Sequence, residues 1–178
     1  RFLGPGNASV VHNVAFPSIT APTKHTVIPD DNRMKIISLS NFHYIRGVDR
    51  IVDVASEINA RQRENSVLFV LAGTMDLIKS LPGRLGEIGR KGGTLEDYVR
   101  ERGLSHMFVF PGHITEPERL LAAGHMTIKL TRESNPWGRD IIESMAAGLP
   151  VITLGTWQGF VRHGETGIMQ EKFDAQII

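Results

Sequence analysis

SVLFVLAG, residues 66–73, carries six apolar side chains in succession with no polar residue between them. A strand with one wet face alternates apolar and polar residues, whereas an unbroken run is what a strand covered on both faces requires. That requirement predicts helices above and below a sheet, and the rest of the chain is read against it.

From Lys35 onward, strand and helix patterns alternate. KIISLS (35–40) is β-rich, and GVDRIVDVASEINAR sets Val48, Ile51, Val52, Ala55 and Ile58 at helical spacing. TLEDYVRERG (94–103) predicts a helix with Thr94 as N-cap and Gly103 as its stop, followed by a strand at MFVFPG (107–112). ITEPERLLAAG offers Thr115 as N-cap, Pro117 in the first turn, and Glu118 three residues after the cap. MTIKLT (126–131) and PVITL (150–154) predict two more strands, with a short helix between them inside NPWGRDIIESMAAGLPVI (135–152). Such alternation predicts an α/β parallel sheet with helices on both faces. Ligands of these folds sit at the carboxyl ends of the strands. Loops leave those ends at Asn41 to Gly47, from Gly73, at Gly112 to Thr115 and at Arg132 to Gly138, and a fifth, GTWQGFVRHGETG, follows the last strong strand.

With 178 residues, of which 41% are hydrophobic, the chain can bury one sizeable core. Charged residues are interspersed and the net charge is +1, so no basic stripe points to nucleic acid as a partner. There is no cysteine, which excludes disulfide and thiolate chemistry. No apolar run approaches the roughly 18 residues of a membrane span, and RFLGPGNASVVHNV has no signal-peptide core. Residues 1–34 read as a connector with at most one strand. The chain starts without Met and ends at DAQII, which reads as an unfinished helix, so a piece of a longer protein is expected.

Three segments offer chemistry. In SNFHYIRG, Ser40 and Asn41 end a strand and Arg46 precedes the glycine that opens a helix. Helix starts expose unpaired N–H groups that favour anions, so phosphate binding stands beside the plainer reading of a capped surface helix. In NPWGRDIIESM, Gly138 lets a ligand approach the backbone and Pro136 and Trp137 stiffen the corner. Arg139 and Glu143 are four apart and share a helix face, either as a surface pair or with Glu143 accepting hydrogen bonds from vicinal hydroxyls. The third segment, LPGRLGEIGRKGG (81–93), has neither P-loop nor dinucleotide spacing and reads as a flexible surface loop. The seven histidines show no metal-ligand spacing, so no metal is expected, though His43 and His113 fall in strand-end loops. No nucleophile elbow is present.

NPWGRDIIESMAAGLPVITLGTWQGFVRHGETGIM resembles the donor-binding signature of glycosyltransferase family 4, and the resemblance runs from about Lys35 to Gln170. It implies a Rossmann-like doubly wound parallel sheet over 35–178, the C-terminal half of a two-domain GT-B fold, with 1–34 as interdomain linker. It further implies a nucleotide-diphosphate sugar as donor, of UDP, GDP or ADP type, and transfer with retention of configuration. No cofactor is implied. The acceptor, a glycan or a lipid-linked one, would be held by an N-terminal domain of the same protein, in the cytoplasm or peripheral to a membrane.

By this resemblance Glu143 holds the ribose hydroxyls, Arg46 meets the diphosphate, and both form the catalytic pair. Gly138 and the N–H groups after it lie near sugar and diphosphate, with Ser40, Pro136, Trp137 and Arg139 in the same donor site. Gly112, His113 and Ile114 touch the base. The family's first acid falls at Asn135 and its arginine at Asn41, so the site has one negative and one positive charge fewer than the pattern. A nucleotide-sugar epimerase of the same fold and a non-catalytic binding module are the alternatives.

Overall fold

The computed structural model describes residues 27–178, so most of the expected connector lies outside the described residues. Six strands form one sheet: β1 (Met34–Leu39), β2 (Val67–Ala72), β3 (Phe108–Gly112), β4 (Met126–Lys129), β5 (Val151–Leu154) and β6 (Gly167–Gln170). All neighbouring strands are parallel, in the order β3-β2-β1-β4-β5-β6. This is the doubly wound Rossmann order, and it reverses between β1 and β4.

Alternation along each strand sends side chains to opposite faces, and both faces are covered. Ile36, Phe69 and Leu71 pack with Val48, Ile51 and Val52 of α1 (Val48–Ala60) and Leu95 and Val99 of α3 (Leu95–Glu101). Ile37, Leu68 and Val70 pack the other way, against Leu120 and Leu121 of α4 (Pro117–Ala122). Phe69 is fully buried and stacks on Phe108 with ring centroids 5.3 Å apart. Each such side chain contributes about 1.5–3 kcal/mol on leaving water, which is why the 66–73 run tolerates no polar residue. Next to β5, α5 (Arg139–Ala146) buries Ile141 against Val151, Val161 and Met169.

Three expectations are corrected: the loop at 81–93, the cap at Thr115 and the helix at DAQII. Residues 81–93 are no flexible loop, because α2 (Gly83–Arg90) runs through them with Leu85 and Ile88 buried. The glycines that read as breakers permit close approach instead: a Cβ on Gly86 would stand 2.0 Å from the Leu81 carbonyl oxygen, and one on Gly89 2.6 Å from that of Ile78. Thr115 does not cap α4. The cap is Glu116, with non-helical backbone (φ −119°, ψ 71°) and no side-chain cap bond, because the residue before a proline is pushed out of the helical region. The GTWQGFVRHGETG loop leaves the carboxyl end of β5 but delivers GETG to the opposite end of the sheet, where β6 begins with Gly167 beside Val151. The terminal DAQII forms a turn closed on the Asp174 carbonyl and not a helix. Elsewhere Thr94 opens α3 as expected, with the Asp97 carboxylate accepting its backbone N–H at 2.8 Å. Among the described residues no helix is long and apolar enough to cross a membrane.

An exposed helical glycine changed to alanine stabilises a protein by up to about 1 kcal/mol. Gly86→Ala is expected to do the reverse, losing about 1–3 kcal/mol through overpacking against Leu81, as read by denaturant unfolding. A neutral or stabilised variant would contradict the packed helix.

Candidate functional site

Where the strand order reverses, the loops leaving β1, β2, β3 and β4 surround one cavity of about 600 Å³ at the carboxyl ends of the strands. Ser40, Asn41, Arg46, His113, Ile114, Asn135, Trp137, Gly138, Arg139 and Glu143 all line it. Two of the donor-site residues expected above do not. Gly112 closes the sheet end, its carbonyl accepting the Gly73 N–H at 2.7 Å, and Pro136 is buried against Gly155, whose Cβ would stand 2.7 Å from the proline ring. His43 is exposed and outside the lining.

The β1 loop is held by its neighbours. Asn41 Oδ1 accepts the Thr74 N–H at 2.9 Å, so this amide serves the β2 exit. Gly73, at φ 137°, has room for no side chain: a Cβ would stand 2.6 Å from the Ser40 carbonyl oxygen. A short turn, Tyr44–Arg46, then leads to Gly47, whose φ of 65° and contact with the Leu130 carbonyl again demand glycine. Arg46 Nη1 lies 3.5 Å from Ser40 Oγ, and the guanidinium has no carboxylate partner among the described residues. Arg132 fastens this loop to the β4 exit. Its guanidinium meets buried Asp49 at 2.8 and 2.5 Å, bonds the Tyr44 carbonyl, and stacks 3.6 Å over the Tyr44 ring.

The β4 exit is built around residues that the sequence analysis missed. Lys129 Nζ donates to the Trp137 carbonyl at 2.9 Å and to Asp140 Oδ1 at 2.8 Å, and both charged side chains line the cavity with Thr131 and Glu133. The available signal was a lysine near the carboxyl end of the otherwise apolar MTIKLT. A Cβ on Gly138, at φ 147°, would stand 2.6 Å from Lys129 Nζ and 2.7 Å from Asp140 Oδ1. The helix therefore begins at a glycine because this ion pair crowds the corner from inside the chain. Asn135 is anchored through its N–H to Thr131 Oγ1 at 2.9 Å, after Ser134 at φ 49° turns the backbone.

Glu143 projects from α5 into the cavity with its side chain 24% exposed, and Arg139 Nε reaches it at 3.0 Å. The pair and the cavity position coexist. Burial raises the Glu143 pKa; Arg139 opposes the shift, and the carboxylates of Asp140 and Glu118 add to it. Two histidines serve structure: His125 Nδ1 accepts the Lys35 N–H at 3.0 Å and His163 Nδ1 the Met169 N–H at 3.1 Å. Among the described residues no group of three or more His, Asp or Glu side chains is arranged to hold a metal ion.

Residues 33–178 match the family model described as Glycosyl transferases group 1. Anabaena HepE, solved with UDP, is similar at TM-score 0.62 and 22% identity over 82% of this chain and 36% of that one. WaaG, a glycosyltransferase involved in lipopolysaccharide biosynthesis, is similar at TM-score 0.62 and 18% identity over 83% and 36%. A TarM variant from S. aureus, with UDP among its ligands, reaches TM-score 0.68 at 16% identity over 98% and 31%. The chain thus spans about a third of the length of these structures. The likeness is one of fold, the Rossmann-like sheet of GT-B glycosyltransferases. Among curated protein sequences none matches the chain.

The burial of Glu143 has a pH signature. Its unfolded value is 4.5 and its folded value is higher, so the folded state pays a penalty for the ionised form. That penalty is absent below 4.5, where the carboxyl is protonated in both states, and grows as pH rises through the folded value. Glu143→Gln is therefore expected to be more stable than the unsubstituted chain at about pH 7, with the difference closing at about pH 4, in urea unfolding at both. Loss of the pair to Arg139, which is 78% exposed, offsets little of this. Equal stability at both pH values would contradict the buried carboxylate.

Proposed function

The chain belongs to the group 1 glycosyl transferases, and from that premise we propose that it is the donor-binding domain of a retaining enzyme of glycosyltransferase family 4. Its donor is a nucleotide-diphosphate sugar, and the acceptor, a glycan or lipid-linked one, is held by an N-terminal domain. The observation that carries this reading is the convergence of four strand-end loops on one cavity, with Arg46 at one wall and Glu143 at another. A cavity of about 600 Å³ falls in the range that small-molecule sites occupy.

In this reading the half-buried Glu143 carboxylate accepts hydrogen bonds from the ribose hydroxyls, which replace the water it has lost. Arg46, with no carboxylate partner among the described residues, meets the diphosphate. During transfer the bond from the sugar's anomeric carbon to the diphosphate oxygen breaks, and the diphosphate leaves with the electron pair. The acceptor hydroxyl gives its proton to the departing diphosphate oxygen, and its own oxygen forms the new bond to the anomeric carbon. Negative charge grows on the leaving group, and Arg46 with the first N–H groups of α5 stabilises it. The reaction as read needs no cofactor. A chain without cysteine suits the cytoplasm, where no disulfide is called for.

A second reading, nucleotide-sugar binding without transfer, draws on Asn41, an uncharged residue whose amide oxygen is already engaged by Thr74. Acceptor-dependent turnover by the full-length protein would exclude it.

Calorimetric titration with UDP, GDP and ADP and their sugars tests the donor site. Selective binding of one nucleotide is expected, weakened about tenfold or more by Glu143→Ala and by Arg46→Ala, or about 1.4 kcal/mol each. Binding that neither substitution changes would overturn the assignment. The chain by itself is expected to bind donor without transferring sugar, and product formation in its isolated form would overturn the division of labour between two domains.

A further inference from the structure

The cavity's charged side chains balance. Arg46, Lys129 and Arg139 stand against Glu133, Asp140 and Glu143, and two of the three cations are already paired, Lys129 with Asp140 and Arg139 with Glu143. A doubly charged diphosphate entering such a cavity meets carboxylates as well as cations. Asp140 is the critical one, because it occupies the first turn of α5, where its Oδ1 accepts the Ile141 N–H at 3.0 Å. A carboxylate there favours the helix dipole but repels any second anion at the same helix start.

Lys129 answers that repulsion. It is the last residue of β4, paired in register with Thr153 of β5, and only 18% of its side chain is exposed. Holding a long flexible side chain there costs rotamer entropy and desolvation, so the ammonium must be held by strong partners. Two of its three N–H groups are committed, one to Asp140 Oδ1 and one to the Trp137 carbonyl. The same contacts leave no space for a Cβ at Gly138.

We infer that Lys129 is a positioning residue of the cleft: it neutralises Asp140 and ties down the Trp137–Gly138 corner, so that the start of α5 accepts the donor's diphosphate. The inference rests on the donor-site reading above. It assigns the ammonium to the protein's own carboxylate and carbonyl and not to direct contact with phosphate. Removing Lys129 alone leaves the cavity with a net charge of −1 among these six groups, whereas removing the charges of Lys129 and Asp140 together leaves it balanced.

The test is calorimetric titration of the chain with UDP, GDP and ADP and the matching nucleosides, for the unsubstituted chain, Lys129→Met and the double variant Lys129→Met/Asp140→Asn. Lys129→Met is expected to weaken binding of the preferred diphosphate about tenfold or more and to leave the nucleoside unchanged. The double variant is expected to recover most of that loss, and because it buries no lone charge it keeps the test open should Lys129→Met fail to fold. Diphosphate binding unchanged in Lys129→Met would overturn the inference, as would a double variant that recovers nothing, which would mean that the ammonium meets the phosphates directly. An unsubstituted chain that binds no diphosphate would overturn the donor reading and this one with it; one that binds, with no effect of Lys129→Met, would overturn this one alone.

Discussion

Burial of a parallel sheet on both faces is the constraint from which the rest of this structure follows. Once β1 and β2 have no wet face, α1 and α3 must cover one side, with Val52 and Leu95, and α4 the other, with Leu120 and Leu121. Helices wound to both sides of a parallel sheet force the strand order to reverse somewhere, and here it does so between β1 and β4. At that point the loops after β1 and β4 diverge to opposite faces. The gap between them is the cavity, so the site is a consequence of how the sheet is covered.

In and around the cavity, electrostatics are managed by pairing. Arg132 and Asp49 clamp the β1 and β4 loops together, Lys129 and Asp140 define the α5 corner, and Arg139 reaches over Glu143. Arg46 is the cavity cation left without a carboxylate among the described residues, and Glu133 is exposed at the rim. A site with so many internal ion pairs is pre-organised, because its charged groups are oriented before any ligand arrives. It also presents little surplus charge, so selectivity must come from where individual groups stand.

Glycine shows where local reading succeeds and where it fails. Gly103 after α3 and Gly47 before α1 do what their neighbours in sequence suggest, ending or opening a helix at positive φ. Gly86 and Gly89 sit inside a helix against the carbonyls of Leu81 and Ile78, and Gly138 makes room for an ion pair. In these three the glycine answers a contact made by another segment or another side chain, and its own neighbours in the chain give no hint of which use applies.

The sequence by itself determined the element pattern, the two-sided burial and the loops that would carry chemistry, because apolar periodicity and cap residues are local records of which backbone is buried and where helices start. Most candidate residues around Ser40, His113 and Glu143 were legible for that reason. Only the tertiary structure decided the strand order, the helical state of 83–90 and the partners of Lys129, Asp140 and Arg132. Arg132 and Asp49 lie 83 residues apart in the chain, and an ion pair across that distance leaves no periodic trace in either segment. Contacts of this kind exist only once the sheet has assembled, and they are what shape the cleft.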